Sequence, residues 1–308
     1  MTMEKDQATQ GAIFALGAYF LWGIAPIYFK QLMHVPAYEI LTHRVIWSFL
    51  LLLVLISALG YWPRVRAILR EPKHLLMLML SSVIIGGNWL VYIWAVNNGH
   101  ILDASLGYYI NPLFNIVLAM LFLAERFRPT QWLAVGLAAS GVVIQLLVFG
   151  SLPWVALVLA ISFGCYGLIR KKVPVDPFTG LMMETLVLLP LATVYLWGFA
   201  DSATSQMSNN SLNTNLWLIS AGIVTTAPLL LFAGAAKRLK LSTLGFFQYL
   251  GPSLMFLLAV WLYDEPFTQD KIITFALIWV ALVIYTLDGV RQRRRNSLQN
   301  SGAPGTIK

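Results

Sequence analysis

The sequence predicts an all-α membrane protein: ten transmembrane helices arranged as two inverted five-helix repeats, with both termini cytoplasmic. Three observations predict it. First, the 308-residue chain is 58% hydrophobic and only 11% charged, and apolar runs recur from end to end at about 20 residues, the length that crosses ~30 Å of hydrocarbon. Second, the chain aligns on itself. Shifted by 140 residues, Ala104–Phe127 meets Leu244–Phe267 without a gap, and Tyr109 falls on Tyr249, Pro112 on Pro252, Ala119 on Ala259, Glu125 on Glu265 and Phe127 on Phe267. A match of this length marks a duplication. Third, with the N-terminus inside, all but Lys30, Arg44 and Lys271 of the 21 basic residues fall on the cytoplasmic side, as the positive-inside rule requires.

In order, the elements run as follows. The polar N-terminus, residues 1–10, is cytoplasmic; the apolar run after it exceeds a signal peptide's core and is read as the first span. The spans lie roughly at 11–31, 40–59, 75–97, 101–124 and 131–149, and again at 152–169, 179–199, 213–236, 242–263 and 269–290. Arg64, Arg66, Arg70 and Lys73 mark the loop after the second span, Arg126 and Arg128 that after the fourth, Arg170–Lys172 that after the sixth, and Lys237–Lys240 that after the eighth. The Ser/Asn-rich stretch 201–213 reads as a flexible hydrophilic hairpin. Residues 291–308 form a basic, low-complexity tail expected to be disordered. The first repeat is thus 11–150 and the second 151–290.

Five spans is an odd number, so the two copies cross the membrane in opposite directions. The charges agree: Asn97, Asn98 and His100 align with Lys237, Arg238 and Lys240, while Arg126 and Arg128 align with Pro266 and Thr268. The first spans match at an offset of 144, where Trp22-Gly23 meets Tyr166-Gly167. Inverted repeats build many secondary transporters, with the substrate site at the repeat interface near the midplane.

Several side chains in the spans are candidates for that site. Arg44, a turn inside the second span, costs about 2.5–3.5 kcal/mol on insertion scales. Its counterpart at offset 140 is Glu184. Arg44 lies near the outer face and Glu184 near the inner one, about 15 Å apart along the normal at ~1.5 Å per residue, which argues for separate gating or lining roles; snorkelling to the interface is the plain alternative for each. Lys30 and His43 read as interfacial. Asn88 sits mid-span and needs hydrogen-bond partners, either a substrate or a neighbouring helix. Asn111 precedes Pro112, which removes a backbone donor and opens a turn. Trp22, Trp89, Tyr109, Tyr166, Gln248 and Tyr249 complete the candidate set, the aromatics as walls of an apolar pocket or as packing. Gly136 and Gly141 align with Ala276 and Ala281 and suggest close helix packing. Glu125 and Glu265 read as solvated span ends. Glu184 and Asp103 are the carboxylates that could carry a coupling proton.

Other classes find little support. Barrel strands would alternate polar and apolar over about 10 residues, and these runs do not. The net charge of +8 is explained by basic loops rather than by nucleic acid. One cysteine, Cys165, excludes an internal disulfide and a multi-cysteine metal site. There is no Walker A run, no H-E-x-x-H and no G-x-S-x-G, so no enzyme and no cofactor is expected.

Both repeats resemble the EamA family of the drug/metabolite transporter superfamily, in which a proline is followed 13 residues later by glutamate: Pro112/Glu125 and Pro252/Glu265. The strings YFLWGIAPIYFK (19–30), GGNWLVYIWAVNN (86–98) and STLGFFQYLGP (242–252) are closer still to one branch of it. Ala124 and Asp264 stand where the family usually has glycine, implying less tightly turned span ends. The resemblance implies a carrier of small metabolites or drugs in the bacterial inner membrane, an exporter whose partners are a small-molecule substrate, the lipid bilayer and, if coupled, protons. A channel or lipid scramblase is the alternative, with an intramembrane enzyme a more distant one.

Overall fold

The computed structural model describes residues 2–98, 100–150, 153–263 and 269–301. Among these, ten helices are long and apolar enough to cross a membrane, and their bounds follow the sequence signals closely. Asp264, Glu265 and the side chain of Asp103 lie outside the described residues.

The helices are α1 (Thr2–Lys30), α2 (Ala37–Ala58), α3 (Trp62–Leu69), α4 (Pro72–Asn97), α5 (Ile101–Leu123), α6 (Pro129–Phe149), α7 (Trp154–Lys172), α8 (Pro177–Gly198), α9 (Leu212–Arg238), α10 (Leu241–Gln248), α11 (Leu250–Tyr263) and α12 (Gln269–Ser301). Helix starts use few devices. Proline occupies the first turn of α4, α6 and α8, where its missing N–H costs nothing. Asp176 and Ser211 cap α8 and α9 by accepting from the Thr179 and Thr214 backbone N–H at 3.1 Å. At the other ends, α7 closes on Arg170, Lys171 and Lys172 and α9 on Lys237 and Arg238, cations placed against the negative pole of the helix dipole.

Four features depart from the sequence expectation. The loop after α2 contains α3, which buries Val65 and Ile68 and leaves its arginines outward; eight residues are too few for a span and enough for a helix lying along the surface. The ninth span is two helices, α10 and α11, joined at Tyr249. Pro252 has no N–H to donate to the Gln248 carbonyl, and the turn tightens so that the Tyr249 N–H bonds the Phe246 carbonyl instead. Its counterpart does not break: α5 continues through Pro112, which still leaves the Tyr108 carbonyl without a backbone donor, and only the second copy splits into two helices. Finally, α12 continues past Val290 to Ser301, because Arg, Gln and Leu there are good helix formers and no glycine or proline intervenes before Gly302.

Ala124 has φ 50°, the left-handed conformation that ends α5. The chain therefore keeps the tight turn although alanine, not glycine, holds the position, at the cost of the Cβ contact that glycine avoids. The segment 199–211 is tied down rather than loose. Thr204 Oγ1 donates to the buried Glu39 carboxylate at 2.8 Å, and Asn210 and Asn215 donate to the Thr204 and Met207 carbonyls at 3.1 and 2.7 Å. His43 is buried against neighbouring side chains and accepts from Trp47 Nε1 at 3.3 Å.

The chain divides into two compact units. The smaller consists of α6 and α12 packed on each other. A Cβ on Gly141 would meet the Thr274 carbonyl at 3.2 Å, whereas one on Gly136 would meet nothing within 4 Å. The aligned alanines behave alike: Ala281 is buried and Ala276 exposed. So the expected packing face holds for one pair and fails for the other, and does so identically in both copies. Arg128 Nε donates to Asp288 at 2.9 Å, tying the start of α6 to the C-terminal half of α12.

The larger unit holds α1–α5 and α7–α11. Its principal pairings cross between the halves of the sequence: α5 on α7, α1 on α9, α2 on α8 and α9, α4 on α7, α10 on α5. Glycines set the closest approaches. A Cβ on Gly222 of α9 would lie 2.6 Å from the Trp47 backbone of α2, and one on Gly245 of α10 would lie 2.9 Å from the Pro112 carbonyl of α5. Without bulk at these points the helix backbones close to near contact, which supplies the dispersion energy that holds helices together in lipid.

Candidate functional site

Within the larger unit, α1, α2, α4 and α5 face α7, α9, α10 and α11 across a cavity of about 1140 Å³. Each wall helix contributes a stripe at helical spacing: Trp22, Pro26 and Phe29 from α1, Ile40, Leu41 and Arg44 from α2, and Ala104, Tyr108 and Asn111 from α5. The space reaches the α1–α2 turn, where Met33 is 78% exposed, and ends inside the unit against the buried Tyr19 and Leu229. It is open at one end and closed at the other.

Of the ten residues singled out from the sequence, the structure brings Trp22, Arg44, Asn88, Trp89, Asn111 and Gln248 together on this cavity. Arg44 Nε donates to Thr225 Oγ1 of α9 at 2.9 Å. Its guanidinium carbon stands 4.8 Å from the Trp89 ring centre and 5.7 Å from that of Phe29, within cation–π range. Asn88 donates both amide hydrogens to α7, to the Leu159 carbonyl at 3.0 Å and Ser162 Oγ at 2.8 Å. Both readings of Asn88 thus meet in one residue, since it joins two helices and lines the cavity. Asn111 donates to the Ala160 carbonyl at 2.6 Å. Asn115, one turn on, donates to Asn111 Oδ1 and Gln248 Oε1, each at 3.0 Å. This amide chain links α7, α5 and the end of α10.

The other four are not among the cavity's described lining residues. Tyr249 is buried at the α5–α10 crossing and donates to the Tyr109 carbonyl at 3.3 Å, so the two aligned tyrosines meet each other. Tyr166 and Glu184 lie beneath the cavity floor. That floor is aromatic. The Trp22 ring centre is 5.8 Å from those of Phe163 and Phe232, and Phe232 stacks on Tyr166 at 5.9 Å with planes 15° apart. Below it, Tyr166 Oη donates to Glu184 Oε2 at 3.3 Å and Ser81 Oγ to Glu184 Oε1 at 2.5 Å, while Arg170 Nη1 stands 3.6 Å from the same oxygen. Arg170 is 0% and Glu184 1% exposed. Farther on, Lys171 Nζ donates to the Ala236 carbonyl at 3.0 Å and to the Leu239 carbonyl, and Lys237 Nζ to the Val173 carbonyl at 2.6 Å. Each lysine thereby satisfies carbonyls left over at the end of the other's helix. Three layers close the cavity: aromatic rings, a buried ion pair, and crossed lysine clasps.

The sequence predicts separate places for Arg44 and Glu184, and the structure does not pair them; Glu184 meets Arg170, which the sequence marks only as a loop cation. The structure adds four residues to the candidate set: Tyr92 and Tyr108 on the cavity wall, and Asn115 and Thr225 as partners of Gln248 and Arg44. The signal for three of them was present: Tyr92, Tyr108 and Asn115 stand four, three and four residues from Asn88 or Asn111, on the same helix faces. Thr225 had no such signal, because only the α2–α9 approach brings it to Arg44.

Comparison with known proteins accords with this architecture. Protein RarD of Salmonella typhimurium is 59% identical over 95% of this chain and 100% of its own length. An uncharacterized transporter of Vibrio cholerae is also 59% identical, over 94% of this chain and 96% of its own. A protein of Pseudomonas aeruginosa named chloramphenicol-sensitive protein RarD is 30% identical, over 94% of this chain and 97% of its own. A crystal structure only 19% identical superposes with a TM-score of 0.73 over 90% of this chain and 97% of that one, which shows the same fold. The sequence profile of the EamA-like transporter family matches twice, at residues 9–147 and 152–287. With both halves matched and the cavity built between them, this multi-pass membrane protein belongs to the EamA-like transporter family.

Proposed function

We propose that this protein is an inner-membrane secondary transporter, an exporter of small metabolites or drugs, working by alternating access between two inverted repeats (11–150 and 151–290) with residues 1–10 and 291–308 in the cytoplasm. The observation that carries the reading is the cavity: large enough for a drug-sized molecule, open at one end only, and walled by helices of both sequence halves. Under the topology set by the basic loops, the open end faces outward and the ion pair and lysine clasps form the inner gate. Trp22, Arg44, Asn88, Trp89, Asn111 and Gln248 contact substrate in this reading; Tyr166 and Glu184 belong to the gate, and Tyr109 and Tyr249 to the hinge where the two copies cross. Opening the inner side requires the ten-helix unit to part at its floor while the mouth closes, so the rings of Trp22 and Phe232 separate.

Thiol labelling in oriented membrane vesicles tests this. In a Cys165→Ser background, Leu41→Cys on the cavity wall should react with an impermeant maleimide from the outer face and, in a separate population that grows during turnover, from the inner face. A cysteine accessible from both faces at once, or single-channel currents, would refute the carrier. Protein-dependent efflux of chloramphenicol or phenyl phosphate from proteoliposomes, compared with and without a pH gradient, tests proton coupling, which equal non-zero rates would exclude.

A further inference from the structure

We infer that the substrate is an organic anion: the wall around Arg44 is a receptor for a carboxylate or phosphate carried on a flat, apolar body. The inference rests on the transport reading above and names the chemistry of its substrate. An arginine in a membrane span stays charged and is costly unless its charge is met. The protein meets the charge of Arg170 in the ordinary way, with the Glu184 carboxylate 3.6 Å away. Arg44 is treated differently. Thr225 takes its Nε and the rings of Trp89 and Phe29 flank the plane, yet among the described residues no carboxylate pairs with it. Nη1 and Nη2 meet no acceptor there either, and they are not among the sealed-off buried polar atoms. A guanidinium fixed through Nε presents these two nitrogens side by side, the geometry that binds a carboxylate or phosphate with two parallel hydrogen bonds.

The surroundings point the same way. Among the described lining residues the fixed charges are those of Lys30 and Arg44, none is acidic, and the other polar groups are the His34 imidazole, the amides of Asn88, Asn111 and Gln248 and the hydroxyls of Tyr19, Tyr92 and Tyr108. A cation would find no counter-charge in this set, and an anion finds one fixed at mid-wall. For the body of the ligand, Trp89, Tyr92 and Tyr108 stand beside Arg44 and Trp22 and Phe163 floor the space, aromatic faces suited to a planar group.

A charge series on one body tests it with purified full-length protein in detergent, read by calorimetry: phenylacetate, phenyl phosphate, 2-phenylethanol and phenethylamine. One of the two anions should bind at least about tenfold more tightly than the alcohol and the amine, as expected of a bidentate charged contact, and which anion wins distinguishes carboxylate from phosphate. Arg44→Gln should erase that preference. Arg44→Lys, which keeps the charge but loses the fork, and Thr225→Val, which frees Nε, should each weaken the anion several-fold while leaving 2-phenylethanol unchanged; these two keep the test valid if Arg44→Gln does not fold. Alcohol or amine binding as tightly as both anions, or an anion preference that survives in Arg44→Gln, would overturn the inference. So would no detectable binding of either anion while Leu41→Cys still switches faces, an outcome that leaves the transport reading standing. Leu41→Cys labelled from both faces at once would overturn transport instead.

Discussion

Substituting Glu184 and Arg170 one at a time should give unequal losses of stability, because the two ions are unequally served. Glu184 accepts from Ser81 at 2.5 Å and Tyr166 at 3.3 Å besides facing Arg170. Arg170, fully buried, has one hydrogen bond, from Nη2 to the Pro177 carbonyl at 3.3 Å, and among the described residues Nε and Nη1 have none. Glu184→Gln therefore leaves a buried guanidinium with almost no compensation, and breaking a buried pair from one side costs about 3–5 kcal/mol. Arg170→Met leaves a carboxyl that keeps two hydrogen bonds and can neutralise itself by taking a proton, as a guanidinium cannot; about 1–3 kcal/mol is expected, the cost of a buried polar group partly served. The double substitution should cost less than the sum by roughly 1–3 kcal/mol, the coupling expected of residues in contact. Reversible unfolding of the four proteins in mixed micelles measures all three quantities. If Arg170→Met proves more damaging than Glu184→Gln, or if the effects simply add, the unequal-service account of the pair is wrong.

Two further predictions follow from backbone geometry. Gly222→Ala places a methyl 2.6 Å from the Trp47 backbone, which cannot rotate away, whereas Gly136→Ala points into open space; the first should lower the melting temperature in detergent by an amount corresponding to roughly 1–3 kcal/mol of overpacking, the second should leave it unchanged or raise it. Ala124→Gly relieves a non-glycine residue at φ 50° and should stabilise the protein by up to about 1 kcal/mol, the Cβ penalty less glycine's added chain entropy, measured by the same unfolding experiment.

The spans were legible because each signal is local. Twenty apolar residues must cross as a helix wherever they pack, since only a helix satisfies its own backbone in hydrocarbon. Proline at 72, 129 and 177 and basic residues in the last turns of α7 and α9 mark ends by rules that need no neighbour. Even so, the two prolines of the repeat look alike in sequence and differ in space: Pro112 stays within an unbroken helix while Pro252 follows a break. Composition around them does not separate the cases; the packing of α10 against α5 does, with Gly245 set against the Pro112 carbonyl.

The site was legible in part. A polar side chain deep in an apolar run announces that it must be met by something, so Arg44, Asn88, Asn111 and Glu184 stood out. What meets each of them is a matter of which helices touch. Arg44 and Glu184 occupy matching positions of the duplication, yet one turns to a cavity and the other to Arg170, because α2 lies on α9 and α8 while α7 carries its arginine back beneath the floor. By itself the sequence determined that the chain carries ten stretches long and apolar enough to cross a membrane, that its halves are copies, and that charge is buried in them. Only the tertiary structure decided which buried charge is neutralised within the protein and which is left facing a cavity, since that depends on partners from separate helices, and lipid, unlike water, supplies none.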